Sequence, residues 1–195
     1  MKLYYSPGAC SLADHIALIA AGIDHAIEKV DLKVKTTETG KDFRAINPKG
    51  YVPALELDDG QILTENIAVL LYIADRSGKL LPSDFAKWRV IETTAFISTE
   101  IHKNFKPLFD PSAADDARAK AKDIIAQRMA LIENQLGGRD YIVGDELSIA
   151  DCYLFVMLIW CRRHDIKLPA GLIDYCHRID RLPAVAEAMT KEGLH

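Results

Sequence analysis

Cys10 stands between a Pro7-Gly8 turn and an apolar-rich stretch, Leu12 to Ala21, that Gly22 stops. A sulfur placed there lies beside the unsatisfied N–H groups that open a helix, where the positive end of the dipole lowers a thiol pKa and favours thiolate. Two readings follow from that placement: a site for sulfur chemistry, or an inert buried cysteine at a strand-to-helix turn. Ser11, next to it, reads as a helix cap. Cys152 and Cys161 bound a ten-residue apolar run, and Cys176 lies in a mostly apolar segment, so packing accounts for all three. The four cysteines form no C-x-x-C pair, and no histidine stands at zinc-finger spacing. That pattern argues against a metal site and against a disulfide framework.

Other polar residues sit where a ligand could be held. A Val52-Pro53 bond in the cis form would turn the main-chain polar groups of Val52 outward, toward an extended, peptide-like ligand; the plainer reading is an edge-strand proline. Thr64-Glu65-Asn66 opens a helix whose free N–H groups attract a carboxylate, with polar side chains that suit an ammonium; simple capping needs only Thr64. Ser148-Ile149-Ala150-Asp151 has the spacing of a capping box and marks Asp151 as structural. Thr99, His102, Lys103 and Lys106 border an apolar stripe of Ile97, Ile101 and Leu108 at helical spacing. By that count His102 shares a face with Thr99 and Ala95, while Lys103 points about 100° away.

The elements that must position these residues divide the chain. Residues 2–6 read as a strand, 12–21 as a helix, and 26–32 as a second strand. A polar stretch, 33–42, follows as a loop or weak helix. Residues 51–57 and 61–63 form a hairpin about Asp58-Asp59-Gly60, and Thr64 caps a helix running to about Ser77. This β-α-β-(weak α)-β-β-α order needs a mixed sheet of four strands covered by helices. Beyond a linker at 79–85 no strand signal returns, and helices are predicted near 86–108, 113–136, 149–163, 172–180 and 184–191. The expected organisation is an α/β domain over 1–78 and an all-helical domain over 86–195.

Composition narrows the partners. Of 195 residues, 49% are apolar and 27% charged, the balance of a globular protein with a core. Twenty-four basic and 28 acidic residues leave a net charge of −4 with no basic half or stripe, so neither nucleic acid nor an anionic membrane is an expected partner. The ten-residue apolar run falls short of the roughly 20 residues that span a bilayer, and Pro7, Gly8 and Asp14 interrupt any signal-peptide core. A cytoplasmic protein is expected.

Five stretches in order carry a resemblance that runs the length of the chain: Tyr-Ser-Pro-Gly-Ala-Cys-Ser-Leu (5–12), Asn-Pro-Lys-Gly-Tyr-Val-Pro-Ala-Leu (47–55), Leu-Thr-Glu-Asn-Ile-Ala (63–68), Thr-Glu-Ile-His-Lys-Asn-Phe (99–105) and Leu-Ser-Ile-Ala-Asp (147–151). Together they resemble the cytosolic glutathione transferases, specifically the bacterial beta class. The resemblance implies a thioredoxin-like first domain with a cis proline, a helical second domain, and a homodimer with active sites between the two domains. It implies that Cys10 touches the glutathione sulfur and can form a mixed disulfide with it. It further implies that Val52, at Pro53, holds the cysteinyl backbone, that Glu65 and Asn66 hold the γ-glutamyl group, and that Lys35 lies near the glycyl carboxylate. Thr99, Glu100, Ile101 and His102 match the helix segment that faces glutathione and the second substrate, and Tyr5 and Ser11 adjoin the thiolate. Asn66 replaces the serine common in the family, and Ala95 stands where many members have an asparagine.

The function so implied is conjugation of the glutathione thiolate to electrophilic, mostly apolar substrates, with glutathione as co-substrate, no cofactor and no metal. Glutathione-dependent disulfide exchange or reductive dehalogenation through Cys10 is the alternative chemistry. A non-catalytic ligand-binding relative is the alternative of another class.

Overall fold

The computed structural model describes residues 1–194. They form two compact units: Met1–Leu81 together with the segment from Leu182 onward, and Pro82–Arg181.

In the first unit, strand β1 (Lys2–Tyr5) is central, parallel to β2 (Ala26–Asp31) and antiparallel to β4 (Ala54–Glu56), which pairs antiparallel with β5 (Ile62–Thr64). Buried on both faces, β1 shows Leu3, Tyr4 and Tyr5 as an unbroken apolar run. A parallel pair needs a crossover, supplied by helix α1 (Ser11–Ala21). The sheet has five strands where the sequence pointed to four: the two-residue β3 (Thr36–Thr37) pairs with β2 at the edge, giving the order β3-β2-β1-β4-β5. Two residues carry no readable period, so the polar stretch hid it. The short helix expected near there lies later, as α2 (Phe43–Ile46), where Asp42 Oδ1 accepts from the Arg44 N–H at 2.9 Å.

Helix α3 (Asn66–Ser77) begins one residue after Glu65, so Thr64 ends strand β5 and does not cap the helix. Helix α1 is apolar almost all round: Leu12, Ala13, Ile16, Ala17 and Leu18 are fully buried. Such a helix must be covered on more than one side. Helix α3 covers one, and α9 (Pro183–Lys191) covers another with Val185 and Ala188. By packing, residues from 182 onward lie with the first unit, and the second unit ends at Arg181.

In the second unit the helix expected over 86–108 is broken. It runs as α4 (Ala86–Phe96), a π turn (Ile97–Ile101), a 3-10 turn (His102–Phe105) and α5 (Lys106–Phe109). The causes are local. Thr93, Thr94 and Thr99 return their hydroxyls to the carbonyls of Arg89, Val90 and Ala95, competing with the helical N–H groups. Pro107 has no N–H for the Lys103 carbonyl, which the Lys106 N–H takes in a tighter turn. Helices α6 (Asp115–Leu136), α7 (Ile149–Arg163) and α8 (Ala170–Asp180) complete the unit. Helix α7 is its core, buried nearly all round, with Cys152 and Cys161 fully enclosed. Burial pushes the Cys161 thiol up to about 12, as an inert packing cysteine requires. Among the described residues no helix is long and apolar enough to cross a membrane.

Candidate active site

In the first unit the starts of two helices converge on one turn. Cys10 is the N-cap of α1, and its thiol donates to the Val52 carbonyl at 3.4 Å, at the cis Val52–Pro53 bond. From the start of α3, the Asn66 amide donates to the Cys10 carbonyl at 2.9 Å and to Asp14 Oδ2 at 3.1 Å, so one buried side chain ties the two helices. Beside it Glu65 has φ 77 and ψ 122, a conformation that side chains rarely adopt. Its carboxylate accepts from Lys49 Nζ and from the Tyr51 hydroxyl at 2.7 Å, contacts that hold it below the usual carboxylate range and ionised at neutral pH. Lys35 Nζ donates to the Gly50 carbonyl at 2.7 Å, within the same loop.

Burial dominates the Cys10 thiol. It is 8% exposed, and desolvation, joined by the Asp14 carboxyl one turn along α1, raises its pKa far more than the backbone N–H groups at the helix start lower it. The thiol is therefore neutral at pH 7, and the lowered pKa expected from helix placement alone is corrected. Asp14 is fully buried with Oδ1 unpartnered, and burial pushes its own pKa well up.

In the second unit, the π and 3-10 turns carry His102, whose Nδ1 shares a 2.5 Å hydrogen bond with the Tyr153 hydroxyl. The His102 ring meets Tyr153 and Trp160 edge to face, and Phe109 meets Trp160 and His164 edge to face as well. Desolvation lowers His102 to about 4. Phe109 is 46% exposed, while Trp160 and Tyr153 are buried. Among the described residues no group of three His, Cys, Asp or Glu side chains could hold a metal ion.

Residues 9–76 match the family model of the glutathione S-transferase N-terminal domain, and residues 115–188 that of the C-terminal domain. Over the full length of both chains, the sequence is 38% identical to glutathione S-transferase GstA of Escherichia coli O157:H7. The chain belongs to the glutathione S-transferase family. Among solved structures, a sphingomonad glutathione S-transferase complexed with glutathione superposes with a TM-score of 0.93 at 46% identity, each chain covered completely. The bacterial beta-class glutathione S-transferase of Sphingomonas chungbukensis does so with a TM-score of 0.93 at 42% identity, again with complete coverage of both.

Within this glutathione S-transferase, Cys10, Val52, Pro53, Glu65 and Asn66 come together, with Lys35 in the adjoining loop. The Asn66 side chain is spent on Cys10 and Asp14, which leaves Glu65 as the polar side chain open at this helix start. Ser11 is fully buried, its hydroxyl accepting from the Ser6 N–H at 3.3 Å, and Tyr5 is 6% exposed. In the second unit Ile101 is fully buried, Glu100 pairs with Arg128 at 3.0 Å, and the Thr99 hydroxyl is returned to its own helix. The sequence reading missed Asp14, Lys49, Tyr51, Tyr153 and Trp160. An acid inside an apolar helix was a signal for Asp14. Tyr153 and Trp160 read as ordinary core within an apolar run.

A direct check follows for Cys10. Its alkylation by iodoacetamide, followed by peptide mass spectrometry across pH, is expected to have a midpoint above that of an ordinary thiol, because burial and Asp14 oppose the charged form. A midpoint near pH 7 would contradict the neutral thiol.

Proposed function

We propose that this chain conjugates glutathione to electrophilic, mostly apolar substrates, with the glutathione thiolate as nucleophile. The observation that carries the reading is the buried Cys10 thiol at the start of α1, an S–H donor 3.4 Å from the Val52 carbonyl at the cis Val52–Pro53 bond, with Glu65 at the start of α3. A thiolate bound there takes the S–H hydrogen bond in place of the Val52 carbonyl and lies in the field of the helix start, which favours ionisation of the ligand's sulfur over that of Cys10. Glu65 suits the γ-glutamyl ammonium. Lys35, whose ammonium donates to the neutral Gly50 carbonyl, suits the glycyl carboxylate. Bound glutathione in the sphingomonad relative supports the co-substrate. A homodimer and a cytoplasmic setting belong to the same reading. Exposed Phe85, Trp88 and Leu131 on the helical unit supply apolar surface for a second copy.

The test is retention on a glutathione resin followed by assay with 1-chloro-2,4-dinitrobenzene. Wild type is expected to bind and turn over. Cys10→Ala is expected to lose mixed-disulfide formation and keep conjugation within about tenfold, since the nucleophile is glutathione's own sulfur. Binding with disulfide exchange alone would favour Cys10 as nucleophile, and neither would favour a non-catalytic relative. His102 gives a second readout. With its pKa near 4 the imidazole is neutral throughout pH 5.5–8, so His102 acts as an uncharged partner and not as a cation that favours thiolate. The rate profile is expected to show no step near pH 6.5 that His102→Ala removes.

A further inference from the structure

Glu192 follows α9 in the chain, and its side chain is fully buried. Oε2 accepts from the Gly8 N–H at 2.9 Å, and Oε1 shares a 2.9 Å hydrogen bond with Nδ1 of the equally buried His15. The two partners flank Cys10: Gly8 lies in the turn before it, and His15 lies on α1 after it. Leu194 closes over the same turn, so that a Cβ at Gly8 would meet its Cδ2 at 3.3 Å. Gly8 has φ +67, a conformation that suits glycine, so the turn is both specialised and held from outside. Burying a carboxylate costs free energy unless its oxygens are paired. Covering α1 does not require one, because α9 packs on it and fully buries Val185 and Ala188. The acid is accounted for by what it ties together.

We propose that Glu192 is a positioning residue for the thiol site: its carboxylate clamps the Pro7-Gly8 turn to α1 and so fixes the Cys10 thiol against the Val52 carbonyl. The C-terminal segment thereby takes part in the chemistry at the opposite end of the chain. The proposal rests on the reading that glutathione's sulfur is handled at Cys10.

The test compares Glu192→Ala, Glu192→Gln and Val185→Ala by two measurements: the rate of Cys10 alkylation by iodoacetamide at fixed pH, read by peptide mass spectrometry, and the steady-state kinetics with 1-chloro-2,4-dinitrobenzene. In Glu192→Ala, alkylation is expected to accelerate about tenfold and kcat to fall about tenfold, while KM for glutathione changes less than about threefold, the mark of lost alignment with binding retained. Glu192→Gln is expected to restore most of both, because the amide keeps an oxygen for the Gly8 N–H and an N–H for the His15 ring. Val185→Ala is expected to lower the thermal midpoint yet leave both readings near wild type. Should Glu192→Ala not fold, Glu192→Asp, one methylene short of spanning both partners, is expected to shift both in the same direction by less. An unchanged alkylation rate in the Glu192 variants, or the same changes in Val185→Ala, would overturn the clamp. If wild type fails to conjugate, the functional reading fails, and the alkylation rates still decide the clamp.

Discussion

Asp151→Ala is expected to lose about 3–5 kcal/mol of stability, seen as a large drop in the urea midpoint of unfolding. An ordinary lost helix cap costs about 0.5–2 kcal/mol. Asp151 does more than cap. Its Oδ2 accepts from the Ser148 N–H at 2.9 Å and the Ser148 hydroxyl at 2.6 Å, which completes the capping box at the start of α7. Its Oδ1 accepts from the Ile142 N–H at 2.8 Å and the Tyr175 hydroxyl at 2.7 Å, binding the preceding loop and α8 to the same point. Ile142, Asp151 and Tyr175 are fully buried, and Ser148 is nearly so. Alanine strands four donors away from water, at about 1–3 kcal/mol for each left unsatisfied, with relaxation returning part of that sum. Against a total stability of about 5–15 kcal/mol the loss decides whether the chain stays folded. Tyr175→Phe, which removes one donor and leaves Oδ1 its other partner, is expected to cost only about 1 kcal/mol. Turnover per folded molecule is expected to stay near wild type in both. A midpoint for Asp151→Ala within 1 kcal/mol of wild type would reduce it to an ordinary cap.

What the sequence revealed of this network, and what it hid, follows from the range of the interactions. Ser148 and Asp151 lie three residues apart, so helix geometry alone brings them together. Tyr175 and Ile142 reach Asp151 through tertiary packing, which no spacing rule encodes. The same division runs through the fold. β1, α1, the hairpin and the long helices were legible because each is longer than its own period. β3 is shorter than its period, and the π turn at Ile97–Ile101 arises from threonines and a proline that each look tolerable alone. That wide turn also undoes the 100° count used to face His102 along with Ala95. α9 was legible as a helix, but its place against α1 was not, because covering a helix that is apolar all round is a property of the folded unit.

The candidate site divides in the same way. The positions of Cys10, Val52, Pro53 and Glu65 follow from local turns and helix starts, and the structure brings them together. Their electrostatics do not follow from those turns. A helix start argues for a lowered thiol pKa at Cys10, but burial and the carboxyl of Asp14 oppose it and win. His102 reads as a titrating group by its type, while the aromatic walls of Tyr153 and Trp160 desolvate it. Desolvation is set by neighbours far away in sequence, and it is the quantity sequence reasoning supplies least well.

Glu65→Gly is expected to lower kcat/KM for glutathione about 100-fold while leaving the unfolding midpoint unchanged or higher. The two halves of this result have separate causes. Glu65 holds φ 77 and ψ 122, combining positive φ with an extended ψ outside the left-handed helical region. Such a backbone costs about 1–3 kcal/mol for a residue with a Cβ, and glycine adopts it with little strain. Glycine's extra chain entropy takes back about 0.5–1 kcal/mol, and the ion pair with Lys49, whose side chains are 45% and 53% exposed, is worth at most about 1 kcal/mol. The balance lies near zero or on the stabilising side. On the binding side, the proposed charge-assisted hydrogen bond from the γ-glutamyl ammonium to Glu65 would contribute about 1.5–3 kcal/mol, and its removal a loss of about 10- to 150-fold. Glu65→Gln separates the causes. It keeps the strained backbone and the shape of the side chain but not the charge, so it is expected to lose glutathione affinity with no gain in stability. Glu65→Ala keeps the Cβ and the strain, and is expected to lose affinity as far as glycine does without glycine's relief. Unfolding midpoints for the three variants, set beside KM for glutathione, decide the point. A Glu65→Gly protein that is markedly less stable than wild type, or one that retains wild-type glutathione affinity, would show that the backbone at Glu65 is not held strained for binding.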